Sequence, residues 1–173
     1  YEDIPRTEQF PLIPQSITIH STIDYQEQER DLLIFNAFEA HTTETYIIVN
    51  GTDYSGELQI QVTKPANANL LYDYTVSIPE KGGLVVRPVM DAAVVLIPAM
   101  SKDEKVEIVV TYSTKGMDVF KYNLSAYQNT VIQGLKADFK LNTPEFEIYR
   151  FGLPHEITYS GSGAEVQFTV DDF

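Results

Sequence analysis

Apolar and polar residues alternate along most of the chain, which is typical of β-strands that keep one face in a core. In KVEIVVTY the apolar residues Val106, Ile108, Val110 and Tyr112 are two apart, and GLKADFKL shows the same period. Such segments recur about every 8–12 residues, separated by turns rich in Gly, Pro, Asn and Asp. The pattern predicts an all-β fold, an antiparallel β-sandwich with little or no helix, built as one large sandwich or as two packed β subdomains.

Two segments depart from this alternation. Between residues 26 and 40, QEQERDLLIFNAFEA places three apolar residues at helical spacing, while its LLIF is equally consistent with a buried strand, which we favour. Between residues 124 and 137, a glycine and three consecutive β-branched residues argue against a helix. We therefore predict a strand in the first segment and no helix in the second.

The predicted organisation is an N-terminal arm followed by one domain. Residues 1–16 lack a regular period and contain three prolines in the first 14 positions, so we interpret them as an arm or linker. Residues 17–173 form the predicted β-sandwich domain, with a subdivision near 115–125 as an open alternative.

The charge balance excludes one class of partner. Twelve Lys and Arg against 25 Asp and Glu give a net charge of −13, which repels nucleic acid phosphates. The acidity is compatible with an extracytoplasmic setting or with cationic partners. No apolar run approaches the roughly 18–20 residues that span a bilayer, so we expect any membrane anchor to lie in segments absent from this sequence.

Motifs that would indicate catalysis are missing from the sequence. The chain has no cysteine, so disulfides, thiolate metal sites and a cysteine nucleophile are excluded. The histidines, His20, His41 and His155, are far apart, and no HExxH, GxSxG, P-loop or GxGxxG motif occurs. We predict no catalytic, metal-binding or cofactor-binding residues, no cofactor, and no enzymatic activity.

Tyrosine is the one residue type that suggests ligand contact, with 11 copies and no tryptophan. Exposed tyrosines stack on sugar rings or anchor protein partners. The candidates for contact are Tyr72, Tyr74, Tyr149 and Tyr159. The alternative, which we favour, is that tyrosine serves as a strand former with its polar tip at the sheet margin.

Residues 110–122, VTYSTKGMDVFKY, begin as a regular strand, break at a glycine and resume with aromatic residues. We interpret the break as a corner between sheets, with Gly116 at positive φ and the Asp118 side chain bound to backbone amides. The predicted corner consists of Tyr112, Gly116, Asp118, Phe120 and Tyr122, of which the three aromatic residues close the core.

A family resemblance is carried by two groups of residues. The first is Thr45, Tyr46, Ile48, Asn50, Thr52 and Pro65, and the second is Ile108, Val110, Tyr112, Gly116, Asp118, Phe120 and Tyr122. In this order of strand, polar turn, strand, bend and aromatic strand, residues 30–141 resemble the extracytoplasmic β-domain of CreD-like and related bacterial inner-membrane proteins. The resemblance implies an envelope role without an established reaction, and it supplies no catalytic residues.

These observations lead to one expected function and two alternatives. We expect a non-catalytic extracytoplasmic β-sandwich domain of a membrane-anchored bacterial protein, serving in sensing, envelope integrity or contact with a protein partner or a membrane-anchored assembly. The first alternative is a secreted carbohydrate-binding or adhesive module that binds a glycan through tyrosines. The second is a hydrolase with a dispersed acidic site.

Overall fold

A computed structural model describes residues 13–30, 33–63, 70–81, 85–89, 92–97, 99–122, 131–148 and 153–171. These ranges hold ten β-strands and no helix. The strands are β1 (Pro14–Arg30), β2 (Leu33–Val49), β3 (Leu58–Thr63), β4 (Leu70–Ser77), β5 (Val85–Val89), β6 (Ala92–Ile97), β7 (Lys105–Met117), β8 (Gly134–Leu141), β9 (His155–Ser160) and β10 (Gly163–Asp171). The predicted all-β class is confirmed.

The strands form two sheets. Seven strands make a large sheet in the order β4-β7-β2-β1-β8-β10-β9, and three make a small sheet in the order β3-β6-β5. Every pair is antiparallel except β1 and β8, which run parallel from Ser16 beside Gly134 to Ile23 beside Leu141. The large sheet is therefore mixed, and the expectation of purely antiparallel pairing is wrong at this one joint. Parallel neighbours need a long crossover, and a repeating pattern of single strands gives no sign of one.

The two longest strands settle the segment between residues 26 and 40. β1 and β2 are 17 residues each and pair antiparallel up to Arg30 beside Leu33, so the strand interpretation is confirmed and the helical alternative is wrong. Phe38 and Ala40 are buried with Ile23 of the neighbouring strand. The period of two across the ladder, rather than the local spacing of apolar residues, determines which side chains reach the core.

The core lies between the two sheets. One face of the large sheet presents mostly apolar side chains, and residues of the small sheet and its flanking turns pack on it. The buried residues of the large sheet include Ile17, Ile19, Tyr46, Ile48, Val106, Ile108, Val110 and Leu135, and those packed on them include Ile60, Ile78, Val95, Ile97 and Met100. We call this the inner face of the large sheet, and the opposite side its outer face.

The turn between Val49 and Leu58 carries the chain from the large sheet to the small one. Asn50 is fully buried there, and its side-chain amide donates to the carbonyl oxygens of Tyr54 at 2.7 Å and Met100 at 3.1 Å. Its side-chain oxygen accepts from the Thr52 hydroxyl at 2.7 Å. The polar residues that mark a turn in the sequence thus also tie the two sheets together.

The predicted boundaries differ from the observed ones at the N-terminal end. β1 begins at Pro14, so the strand includes the last three residues of the predicted arm, 1–16, and residues 1–12 lie outside the described part. β7, which extends into this range as far as Met117, and β8, which follows it, are both strands of the large sheet. This sheet is therefore not divided at that point.

The predicted corner is misplaced by a few residues. Tyr112 and Gly116 lie within β7, which pairs with β2 as far as Met117 beside Ala37. Of the described glycines, only Gly161, in the β9–β10 turn, has a positive φ, so the expected left-handed conformation of Gly116 is wrong. The left-handed residue is Asp118, at φ 61°, whose role is in its backbone: its N–H donates to a carbonyl oxygen of β2 at 3.1 Å.

Gly116 is required for packing instead. It is buried on the inner face, and a Cβ atom at this position would overlap the ring of Phe38. That ring lies edge-on to Phe120, with ring centroids 5.7 Å apart. Gly116 therefore permits the close approach of a neighbouring side chain and does not form a bend, although a glycine in a sequence is compatible with either role.

The aromatic residues of the predicted corner do contribute to the core. Tyr112 is buried in the main core and Tyr122 packs against it, while Phe120 packs on a smaller cluster that contains Phe38. Tyr122 and Phe120 both contact the ring of Phe139 on β8, with centroid distances of 6.4 and 5.9 Å. These contacts fix the chain as it leaves β7.

Candidate functional site

Polar residues form cross-strand pairs on the outer face of the large sheet. Opposite residues in antiparallel strands lie on the same face of the sheet, so the outward-facing side chains of one strand lie beside those of its neighbour. On β2 and β7 the outer-face pairs are Glu39 with Lys115, His41 with Ser113, and Thr43 with Thr111. The first is an ion pair at 3.3 Å and the second a hydrogen bond at 2.8 Å.

These pairs border a groove of about 590 Å³ on the outer face, which we call the outer groove. Six strands of the sheet contribute to it, with β8 and its neighbour β10 closing one end. Its polar lining includes His20, Thr22, His41, Thr43, Asp73, Thr111, Ser113, Asp138, Lys140 and Glu165. The volume lies within the roughly 300–1,000 Å³ that is usual for ligand sites.

The outer groove is acidic and rich in hydroxyl groups. Three carboxylates line it against a single lysine. The Nδ1 atom of His20 lies 3.0 Å from a carboxylate oxygen of Asp138, and Glu165 lies directly opposite Lys140 in the ladder. Asp138 and Glu165 both lie on the β1, β8 and β10 side, so that end of the groove holds two carboxylates against Lys140, within a chain of net charge −13.

A second, smaller cavity of about 310 Å³ extends along the same strands, lined by Gln26, Gln28, Ala37, Phe38, Glu39, Lys115 and Gly116. Glu39 lines this cavity, and His41, two residues further along the same strand, lines the outer groove. Glu39 therefore lies between the cavity and the groove. The hydroxyl of Tyr72 donates to Glu39, and this bond, together with Lys115, lowers the pKa of the carboxyl group below its usual value. The same contact raises the pKa of Tyr72.

One serine and one histidine are in contact within the outer groove. The Nδ1 atom of His41 and the Oγ atom of Ser113 are 2.8 Å apart, and Nε2 of His41 is 3.9 Å from Glu39. Ser113 is in the middle of β7 and only 6% exposed, while Glu39 is engaged by Tyr72 and Lys115. The network positions His41 on the sheet. No sequence motif indicates this network, because His41 and Ser113 are 72 residues apart.

A buried carboxylate lies on the inner face, behind the outer groove. Glu44 is 1% exposed, and it accepts hydrogen bonds from the hydroxyls of Tyr46 at 2.5 Å, Tyr112 at 2.5 Å and Tyr122 at 2.8 Å. Burial raises its pKa above the usual value, and the three hydrogen bonds oppose that shift. We call these four residues the Glu44 cluster.

Tyr74 stacks on Tyr112 beside the Glu44 cluster, with ring centroids 6.1 Å apart. Its hydroxyl is buried without a hydrogen-bond partner among the described residues, and burial together with the charge of Glu44 raises its pKa to about 12. An unpaired buried hydroxyl costs about 1–3 kcal/mol. Tyr74 therefore stabilises the folded protein through the packing of its ring, while its unpaired hydroxyl lowers the stability.

Tyr74→Phe is expected to raise the free energy of unfolding by about 1 kcal/mol, because it removes the unpaired hydroxyl and keeps the stacked ring. The matched control is Tyr112→Phe, which removes a donor to Glu44 and is expected to lower the free energy of unfolding by a similar amount. Urea denaturation of the three proteins measures both changes. A loss of stability in Tyr74→Phe would contradict the assignment of an unpaired hydroxyl.

The structure does not bring the predicted contact tyrosines together. Tyr72 is on the outer face at the β4 edge, whereas Tyr74 packs inward against the core. Tyr159 is 62% exposed on β9, at the opposite edge of the sheet, and Tyr149 lies outside the described residues. The three described tyrosines form no common platform for a sugar ring.

Comparisons with known proteins give a structural likeness only. No protein-family model and no curated protein matches the sequence. A zinc metallopeptidase of the M1 type from Deinococcus radiodurans shares the fold with a TM-score of 0.58 and 8% identity, over 96% of this chain and 40% of that one. A protein from Legionella pneumophila described as a putative nutrient binding protein matches with a TM-score of 0.52 and 15% identity, over 94% of this chain and 65% of that one.

The chain thus spans less than two thirds of the length of either structure. At 8% and 15% identity, the likeness shows the all-β fold and carries no activity across. In the part of the chain that the structure describes, no helix is long and apolar enough to cross a membrane.

Proposed function

We propose that the chain is a non-catalytic binding domain that holds a basic segment of a protein partner in the outer groove. The observation that carries the proposal is the groove itself, in which three carboxylates outnumber one lysine beside two histidines and a row of hydroxyls on a paired sheet. The groove-lining residues of β1, β2, β7 and β8 each have a paired strand on both sides, so a ligand there contacts side chains rather than adding a strand.

The chemistry of the lining favours a cationic ligand. Lysine and arginine side chains bind carboxylates through charge-assisted hydrogen bonds, and serine and threonine hydroxyls bind the polar backbone between them. The net charge of −13 steers cations toward the protein, while the fixed carboxylates of Asp138 and Glu165 position them. Histidines at 20 and 41 add two further polar contacts within the same groove.

The cellular setting is part of the same proposal. The resemblance of residues 30–141 to the CreD-like β-domains supports an extracytoplasmic location in a membrane-anchored bacterial protein. Protease added to spheroplasts that express the full-length protein tests this location, and protection of the domain from cleavage would contradict it.

Asp138→Asn combined with Glu165→Gln is expected to weaken the binding of a fluorescent oligolysine peptide about tenfold at physiological salt, since two anionic contacts are lost. The matched control is Glu57→Gln combined with Glu145→Gln. It removes the same charge from exposed positions that do not line the groove. Fluorescence anisotropy measures the affinities, with oligoglutamate as the negative probe.

The control variant separates the groove from the overall charge of the protein. If binding is specific to the groove, the control retains nearly the affinity of the wild type. Equal losses in both variants would show that oligolysine responds to net charge alone and would overturn the proposed site. Undetectable binding to the wild type would overturn the proposed ligand class.

A further inference from the structure

The two edges of the large sheet differ in how open they are to a further strand. At the β4 edge, a bulge between Tyr72 and Thr75 breaks the register, and Asp73 has a left-handed φ of 53°. Bulges of this kind twist an edge strand and prevent another strand from pairing with it. At the β9 edge, the six residues His155–Ser160 pair regularly with β10, without a bulge or a proline.

The β9 edge is also apolar on the inner face. The register places Ile157 beside Val166 and Tyr159 beside Ala164, and both of these β10 residues are buried. Ile157 itself is 37% exposed and Tyr159 62% exposed. The apolar face of the core therefore continues onto β9, where the Tyr159 ring also contacts Phe146 at a centroid distance of 6.3 Å, and no other strand of the described residues pairs with the outer edge of β9. An edge strand has unpaired backbone N–H and C=O groups with which another strand can pair, and natural proteins normally protect such edges. An unprotected edge is therefore a site for strand pairing.

We propose that β9 pairs antiparallel with β9 of a second copy, about a two-fold axis at Thr158, so that two large sheets join into one. Residues directly opposite in an antiparallel pair share a face of the sheet. In this register, Ile157 of each copy lies opposite Tyr159 of the other copy, so the interface contains this contact two times. It sets Glu156 against Ser160, which avoids a contact between like charges. The same six residues thus supply both halves of the interface, as a two-fold contact requires.

Charge determines how this dimer responds to salt. Each copy carries −13, so the two repel each other at low ionic strength, while the proposed contact consists mainly of backbone hydrogen bonds and apolar side chains. Sedimentation velocity over a concentration series is expected to show a dimer that strengthens as salt is added. A monomer at every protein and salt concentration would overturn the proposal.

A single cysteine tests the register. Because the chain has no cysteine, Thr158→Cys introduces the only thiol, placed opposite its own copy on the axis. Opposite residues in antiparallel strands have Cα atoms about 4.5–5.5 Å apart, within the range of a disulfide. Mild oxidation is expected to cross-link this variant, whereas Ser77→Cys, exposed on the bulged β4 edge, stays largely uncross-linked.

Two outcomes would overturn the proposed contact. The first is equal cross-linking of the two cysteine variants, which indicates random collision. The second is a dimer that persists in Tyr159→Lys, because a lysine opposite Ile157 removes the apolar contact between Ile157 and Tyr159 that defines the register. Neither outcome bears on the outer groove, which lies on other strands of the sheet.

Discussion

Replacing Glu44 with leucine is expected to lower the free energy of unfolding by about 3–5 kcal/mol, the largest single effect predicted for this chain. The carboxylate is the common acceptor of three tyrosine hydroxyls inside the core. Leucine has a similar size but accepts no hydrogen bond, so the hydroxyls remain buried around an apolar side chain. Urea denaturation followed by tyrosine fluorescence measures the loss.

A triple variant distinguishes this loss from poor packing of leucine. Adding Tyr112→Phe and Tyr122→Phe to Glu44→Leu removes two of the donors together with their acceptor. An all-apolar replacement of a buried polar network is often close to neutral, so much of the lost stability is expected to return. If the triple variant is no more stable than Glu44→Leu, the cost does not arise from the hydroxyls.

The Glu44→Gln variant tests the charge of the cluster through pH. Burial raises the pKa of Glu44 in the folded protein above the usual 4.5, so folding favours the protonated form. The stabilisation from this group is complete below pH 4.5 and is lost as the pH rises through the folded pKa. Relative to Glu44→Gln, the wild type is therefore expected to lose stability as the pH rises above 4.5. An identical pH dependence of the two proteins would contradict the raised pKa.

Replacing Gly116 with valine is expected to lower the free energy of unfolding by about 1–3 kcal/mol, because the new side chain overlaps the Phe38 ring in the core. The backbone of Gly116 is not left-handed, so the penalty comes from packing alone. Thermal unfolding followed by circular dichroism measures the change.

The chain supplies both a control and a rescue for this prediction. Gly51 is exposed, and no neighbouring atom of the described residues lies within 4 Å of an added Cβ, so Gly51→Val is expected to leave stability nearly unchanged. Adding Phe38→Leu to Gly116→Val makes room in the core, and the two changes together are expected to cost less than the sum of their separate costs. An unchanged melting temperature in Gly116→Val would show that Phe38 moves aside freely.

The sequence predicts the fold class because alternation is a local property. Ile108 and Val110 are two apart in the sequence and share the inner face, as the period of a strand requires. The parallel joint between β1 and β8 was not predictable in this way, since no local pattern encodes which distant strand becomes a neighbour. Gly116 shows a second limit, because a glycine signals close packing and a turn equally well.

The site residues show the same difference between what a local pattern predicts and what depends on the pairing of distant strands. Glu44 stands in phase with Tyr46 and Ile48, and an acid in a buried row is a signal that the sequence does contain. The outer groove combines residues from β1, β2, β4, β7, β8 and β10, each an ordinary polar position on a strand. Only the order of strands brings His20 to Asp138 and His41 to Ser113.

The pairing of β1 with β8 has a consequence for synthesis of the protein. Strand β1 finds one partner soon after its own translation, in β2, but its other partner ends only at Leu141. Until the ribosome has released β8, the edge of β1 from Ser16 to Ile23 has no native neighbour and is open to aggregation. Closing so long a loop also makes folding slow, on the order of milliseconds to seconds, which is typical of sheets built from distant strands.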